Sequence, residues 1–181
     1  QNFTTDMDDG NELSSQFKIK TITVDLTKEK MDFIDSLSKV TTLTPQATTN
    51  IAPRLRMITL YAIAASENRI VAGTSNASEL YMGYFTKWGD GASDFNPIAD
   101  LTVTEVYEFL NYLKAPKSII GKAPSGGLFE GQTDEKEMGV TYSEIDKYIF
   151  SGECDPKAKE IIDRYHKAGA HKRRMPLIYE E

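Results

Sequence analysis

One cysteine, Cys154, and two histidines, His166 and His171, are the chain's whole supply of thiol and imidazole ligands. A lone thiol closes no internal disulfide, and this supply excludes a cysteine-built metal site and a histidine-rich zinc centre. Long apolar runs are also missing. No stretch approaches the ~20 residues that a bilayer-spanning helix requires, and the start shows no signal-peptide pattern. The expectation is a cytosolic protein with no membrane partner. Positive charge is not in excess: 21 Lys and Arg stand against 27 Asp and Glu, a formal net charge of −6. A nucleic-acid binder that relies on a broadly basic face is therefore excluded, whereas a small basic site is not. Repeats and low-complexity tracts are absent as well. The 40% hydrophobic content suffices for a core, and residues 1–181 read as a single domain.

What is present divides into helical and strand-like patterns. Asn2 to Gln16 ends in a short helical pattern with Leu13, and its Asp6, Asp8, Asp9 and Glu12 read as a solvated face. Phe17 to Leu26 alternates, with Ile19, Ile22 and Val24, and predicts a strand. Thr27 then caps a helix over Lys28 to Ser38, with Met31, Phe33, Ile34 and Leu37 spaced as a core stripe. The threonine-rich stretch Thr41 to Asn50 reads as a flexible link. Asn50 and Pro53 mark the first turn of a helix reaching about Asn68, with Leu55, Ile58, Thr59, Ala62 and Ala65 as its buried stripe. Arg69 to Ala72 reads as a second, buried strand. Helices follow from about Thr102 to Leu113, near Ser143 to Phe150, and from Asp155 to Ala168, with a Pro/Gly/Ser loop from Ala115 to Gln132 and a basic tail at the end. Two strands make a marginal sheet, so the pattern predicts that a partner subunit or an upstream piece completes it. The first residue is glutamine, which also leads us to expect a preceding segment.

Chemistry concentrates between Gly73 and Asp94, where glycines, hydroxyls, one lysine and three spaced carboxylates follow the Arg69 to Ala72 run. In open α/β sheets ligands collect beyond the carboxyl ends of strands, which places Thr74, Ser75 and Ser78 where a ligand would sit. The same composition also suits a well-capped turn into a helix, with Ser75 or Asn76 as the cap.

The elements Gly73-Thr74 with Glu79, and Gly83-Tyr84-Phe85-Thr86-Lys87-Trp88-Gly89-Asp90-Gly91 with Asp94, resemble the ammonia-dependent NAD synthase family. Three further elements agree in order: Asn50 to Met57; Lys122 to Leu128 with Gly131 to Glu135; and His171-Lys172-Arg173-Arg174. The resemblance covers nearly the whole chain. It implies an α/β fold with a parallel sheet, of the Rossmann-like adenine-nucleotide alpha hydrolase type, lacking the N-terminal segment with its Ser-Gly-Gly-x-Asp-Ser pyrophosphate loop. Ser125-Gly126-Gly127 echoes that loop without its Asp-Ser and carries no such role.

The resemblance also implies a homodimer that makes NAD from deamido-NAD, ATP and ammonia with Mg²⁺, through an acyl adenylate. It assigns Thr74 and Ser125 to ATP, Glu79 to magnesium, and Arg54, Lys87, Asp94, His171 and Lys172 to deamido-NAD. Hydroxyls suit nucleotide oxygens, a carboxylate suits a hard cation, and Arg and Lys suit phosphates or a carboxylate. Asp90 reads instead as a turn residue fixing Gly89 and Gly91. Two departures stand out. Ser125 replaces a threonine and keeps the hydroxyl. Val103 stands where the family has an ATP-binding lysine, and Lys122 is a conceivable replacement. The other reading of the chain, a degenerate non-catalytic relative that dimerises and binds a dinucleotide, rests on Val103 and on the missing loop.

Overall fold

The computed structural model describes residues 3–125 and 133–179. Among the described residues the regular structure is helical: α1 (Phe3–Phe17), α2 (Thr27–Ser38), α3 (Pro45–Thr49), α4 (Ile51–Ser66), α5 (Ala77–Met82), α6 (Val103–Tyr112), α7 (Lys117–Ile120), α8 (Asp134–Met138), α9 (Tyr142–Ser151) and α10 (Pro156–Ala168), then a 3₁₀ turn (Gly169–Lys172). The chain gathers into two compact units. One takes Gln1–Thr23 and Leu101–Asp163, the other Val24–Asp100 and Arg164–Glu181.

In the first unit helix starts are set by side chains written into the sequence. Thr102 and Glu105 form a capping box at α6, and Thr141 and Glu144 do the same at α9, each pair satisfying two amides that a helix cannot satisfy internally. α6 packs on α9, and the contact is polar as well as apolar: Asp146 accepts from the Thr104 amide at 2.9 Å and from its hydroxyl at 2.6 Å. The Tyr142 hydroxyl reaches Asp134 at 3.0 Å. Both carboxylates are buried, so these hydrogen bonds offset the cost of removing them from water. Ile145 on α9 and Ile162 on α10 are fully buried.

The second unit is built on α2, α3 and α4, with α4 packing against both of the others. The stretch read as a flexible link instead contains α3, because Thr44 caps it by accepting from the Ala47 amide and Pro45 occupies its first turn. Both predicted strands require correction. Phe17 ends α1, and Ile19, Ile22 and Val24 are exposed in a segment without regular structure. The run Arg69 to Ala72 reduces to one parallel bridge, Ala72 with Phe95, and Ile70 is exposed. Alternation predicts which residues suit a strand, but a strand forms only where a neighbour supplies the ladder. Among the described residues no neighbour does.

The apolar stripes also shift. No α2 residue is buried, and Met31 and Phe33 are half exposed. Thr27 is the first residue of α2 rather than its cap, and its amide donates to Asp25 Oδ1 at 2.9 Å. On α4 the buried residues are Ile51, Pro53 and Ala64, while Ile58, Ala62 and Ala65 of the expected stripe lie on the exposed side. Helical period identified the helix correctly. It did not identify the face, because a helix apolar around most of its circumference has no unique stripe.

Candidate functional site

α5 organises the second unit's chemistry. Asn76, not Ser75, is its cap: Asn76 Oδ1 accepts from the Glu79 amide at 2.9 Å and Glu79 Oε2 accepts from the Asn76 amide at 2.9 Å. Ser75, Asn76 and Ser78 are buried there, and Thr74 is exposed just before the cap. The Ser75 carbonyl accepts from Asn96 at 2.7 Å, which ties the entry of α5 to the bridge strand partner. Six residues at 1.5 Å each make α5 about 9 Å long, so Thr74 and the loop carrying Lys87 lie at opposite ends of one short helix.

Asp94 closes the parallel bridge with its side chain. Its Oδ2 accepts from the Val71 amide at 2.7 Å and its backbone amide donates to the Val71 carbonyl at 2.9 Å. Tyr61 comes within 3.5 Å of Oδ1, and desolvation first, then the Asp94 charge, pushes the phenol up from its usual value. Asp90 accepts from the Thr86 amide at 3.1 Å, which makes it the turn residue that the sequence suggested.

Beyond α5 the loop meets the C-terminal basic segment. Lys87 Nζ donates to the carbonyls of His171 at 2.6 Å and Arg174 at 3.0 Å, and it lies 5.2 Å from the Trp88 ring centre. Arg54 on α4 donates to the Lys87 carbonyl at 3.3 Å. His171 Nδ1 lies 3.0 Å from the Ala168 carbonyl, to which it donates its proton. Lys172 Nζ donates to Gly83 at 2.8 Å and Phe85 at 2.7 Å. Burial pushes its pKa down, while Asp90 acts in the opposite direction.

These contacts shape a cavity of about 390 Å³ whose polar lining is Lys87, Lys167, His171 and Arg174, with Met175 and Leu177 among its apolar lining. That size lies within the ordinary range of small-molecule sites. Four basic groups converge in a chain whose net charge is −6, so the cavity can hold an anion that the rest of the surface repels. Lys87 and His171 are thus brought together on one cavity. Lys167 and Arg174 were missed as lining residues, although the density of basic residues from Arg164 to Arg174 was a legible signal.

Other expected residues lie elsewhere. Ser125 belongs to the first unit, exposed in the loop after α7. The Gly126-Gly127-Leu128 and Gly131-Gln132 parts of its motif fall outside the described residues. Val103 is buried at the first position of α6. Lys122 pairs with Asp6 and, at 2.8 Å, with Asp9, both on α1, and those bonds raise its pKa. The first-helix acidic cluster is therefore partly neutralised rather than wholly solvated, and the Lys122 charge is already balanced. Among the described residues no group of three His, Cys, Asp or Glu could hold a metal ion, and no helix is long and apolar enough to cross a membrane.

The family model described as NAD synthase matches residues 1–176. The NH3-dependent NAD(+) synthetase of Carboxydothermus hydrogenoformans is 47% identical over 96% of this chain and 72% of its own. That of Alkaliphilus metalliredigens is 46% identical over 96% and 73%. Among solved structures, NMN synthetase from Francisella tularensis superposes with a TM-score of 0.94 at 44% identity, covering 98% of this chain and 74% of that one. The NH3-dependent NAD synthetase of Campylobacter jejuni gives 0.74 at 29%, covering 96% and 72%. A match of this extent, over the same residues that build α5 and the basic cavity, establishes that the chain belongs to the NAD synthase family.

Proposed function

We propose that this protein makes NAD by ammonia-dependent amidation of deamido-NAD. The observation that carries the reading is the basic cavity, which joins Lys87 from the central motif to His171 from the C-terminal motif. A carboxylate is a poor electrophile and needs an activated leaving group. The nicotinate carboxylate oxygen attacks the α-phosphorus of ATP, pyrophosphate leaves, and an acyl adenylate forms. Ammonia's lone pair then attacks the acyl carbon, AMP departs, and the nitrogen loses a proton to water, leaving the amide. The chain's part is to hold two anionic nucleotides in line and to exclude water.

In this reading Lys87, His171 and Arg54 bind deamido-NAD, and Thr74 and Ser125 bind ATP. Asp94 and Lys172 contribute mainly by what they already hold: Asp94 fixes the bridge and Lys172 fixes the loop after α5, each beside the bound dinucleotide. Glu79 fits as one carboxylate ligand of a magnesium ion completed by phosphates and water, a coordination magnesium commonly adopts. When bound, that ion would screen phosphate charge. Val103 supplies no such charge, and Lys122, paired with Asp6 and Asp9, does not replace it. The parallel sense of the Ala72–Phe95 pairing supports placing the fold in the parallel α/β class. The exposed apolar faces of α2 and α4 support a homodimer.

The likeness to an NMN synthetase structure favours a second reading, in which the substrate is the mononucleotide. One assay tests both. AMP release is followed with ATP, Mg²⁺ and ammonia, using deamido-NAD in one arm and nicotinate mononucleotide in the other. Faster turnover of deamido-NAD is expected; preference for the mononucleotide would select the second reading, and no AMP in either arm would remove both.

A further inference from the structure

Arg173 follows directly on the turn that carries His171, and its side chain joins two helix ends. Nη1 donates to the carbonyls of Tyr81 at 3.1 Å and Leu80 at 3.4 Å in the last turn of α5. Nη2 donates to the carbonyl of His166 in the last turn of α10. These belong to the last four carbonyls of each helix, where cations are favoured; the Leu80 carbonyl also accepts from the Gly83 amide at 3.2 Å. The two ends are held by separate nitrogens of one planar fork, whereas a lysine would have to make every contact from a single nitrogen. The same junction is reinforced by His166, whose Nδ1 lies 2.9 Å from the Tyr81 carbonyl and whose ring lies 4.2 Å from the Tyr81 ring.

The junction has no slack. A Cβ on Gly83 would fall 2.7 Å from the Gly169 Cα, and one on Gly169 would fall 2.9 Å from the Gly83 Cα. Gly83 also needs its left-handed backbone, at φ +67°, to end α5. The two backbones therefore cross in contact, with Ala168 and Ala170 of the cavity lining on either side of Gly169. Lys87 is in turn anchored to the carbonyls of His171 and Arg174, the residues on either side of the Lys172–Arg173 pair.

We propose that Arg173 is a positioning residue for nucleotide binding: by clamping the ends of α5 and α10 it sets the separation of Lys87 from His171 and Arg174, without touching the substrate. This rests on the reading of the cavity as the deamido-nucleotide site. The test is calorimetric titration of the full chain with deamido-NAD, nicotinate mononucleotide and, separately, ATP, on wild type, Arg173→Lys and Arg173→Ala, with a thermal melt of each. Misplacement by ~1 Å can cost ~10²-fold, so Arg173→Lys should weaken deamido-NAD by about 10-fold or more and ATP by less than about two-fold. Its melting temperature should stay close to wild type, since the lysine still places a cation on the α5 carbonyls. Arg173→Ala should weaken deamido-NAD further. Wild-type affinity for deamido-NAD in Arg173→Lys would overturn the proposal, as would equal weakening of both ligands in step with a lower melting temperature. Wild type that binds neither nicotinate nucleotide would overturn the reading of the cavity itself, and the proposal with it.

Discussion

Glu79 is asked to do two things with one carboxylate. Its Oε2 closes the capping box at Asn76, and the family resemblance gives it a magnesium ion. The two roles separate by substitution, because glutamine also closes a capping box but carries no charge. Glu79→Gln should therefore melt close to wild type while AMP release falls about 10²-fold or more, the scale on which a charge-stabilising group at a reacting phosphate contributes. If turnover survives in this variant, Glu79 is a cap and nothing more. Lys87 poses the complementary case. Two of its three protons go to carbonyls, so its charge faces the cavity while its position is fixed by the backbone. Such bonding trades freedom for placement, and placement is what an anionic substrate requires.

At the scale of elements, boundaries follow short capping signals more closely than apolar spacing. α5, α6 and α9 all begin at capping boxes. The one at α9 is also a titratable device. Hydrogen bonds from the Thr141 hydroxyl, then from its amide, hold the Glu144 carboxyl below the usual glutamate range. A carboxyl lowered on folding stabilises the protein above its unfolded pKa, and that contribution is lost as pH falls through the folded value. Stability should thus fall as pH drops below about 4.5, the ordinary glutamate value. Glu144→Gln keeps the box and cannot titrate, so its melting temperature should decline less steeply between pH 5 and pH 3, roughly the span over which paired carboxylates protonate. Parallel melting curves for the two proteins would remove Glu144 from the acid limb.

For the whole molecule the informative surface is apolar. In the second unit Met31 and Phe33 on α2, and Ile58 and Leu60 on α4, are all about half exposed, at 53%, 48%, 58% and 54%. Scattered exposed apolar residues are ordinary, but two packed helices that each expose a pair of large ones offer apolar area that a partner can cover. A homodimer covering them is the arrangement proposed above. Sedimentation velocity should show concentration-dependent self-association, and Ile58→Asp should shift it towards monomer without lowering the melting temperature of the monomeric form, since an exposed site gives up little packing. Unchanged sedimentation in the variant would exclude this part of α4 from the interface.

The local sequence by itself determined where most helices start and that Asp90 makes a turn, because caps and turns depend on residues within a few positions of one another. Lys87 and His171 were legible as candidates for the same reason: each sits in a compact motif. Tertiary structure decided the rest. Whether Ile19, Ile22 and Val24 form a strand depends on a neighbour that period-two alternation cannot supply. Which side of α4 is buried depends on α2 and α3, since Leu55, Ile58 and Ala62 are as apolar as the residues that won. That Lys122 is balanced by Asp6 and Asp9, more than a hundred residues away, and that Arg173 clamps α5 to α10, are facts of long-range approach. Charge and hydrogen-bonding capacity are written in each residue, but the partner that uses them is chosen only when the chain folds.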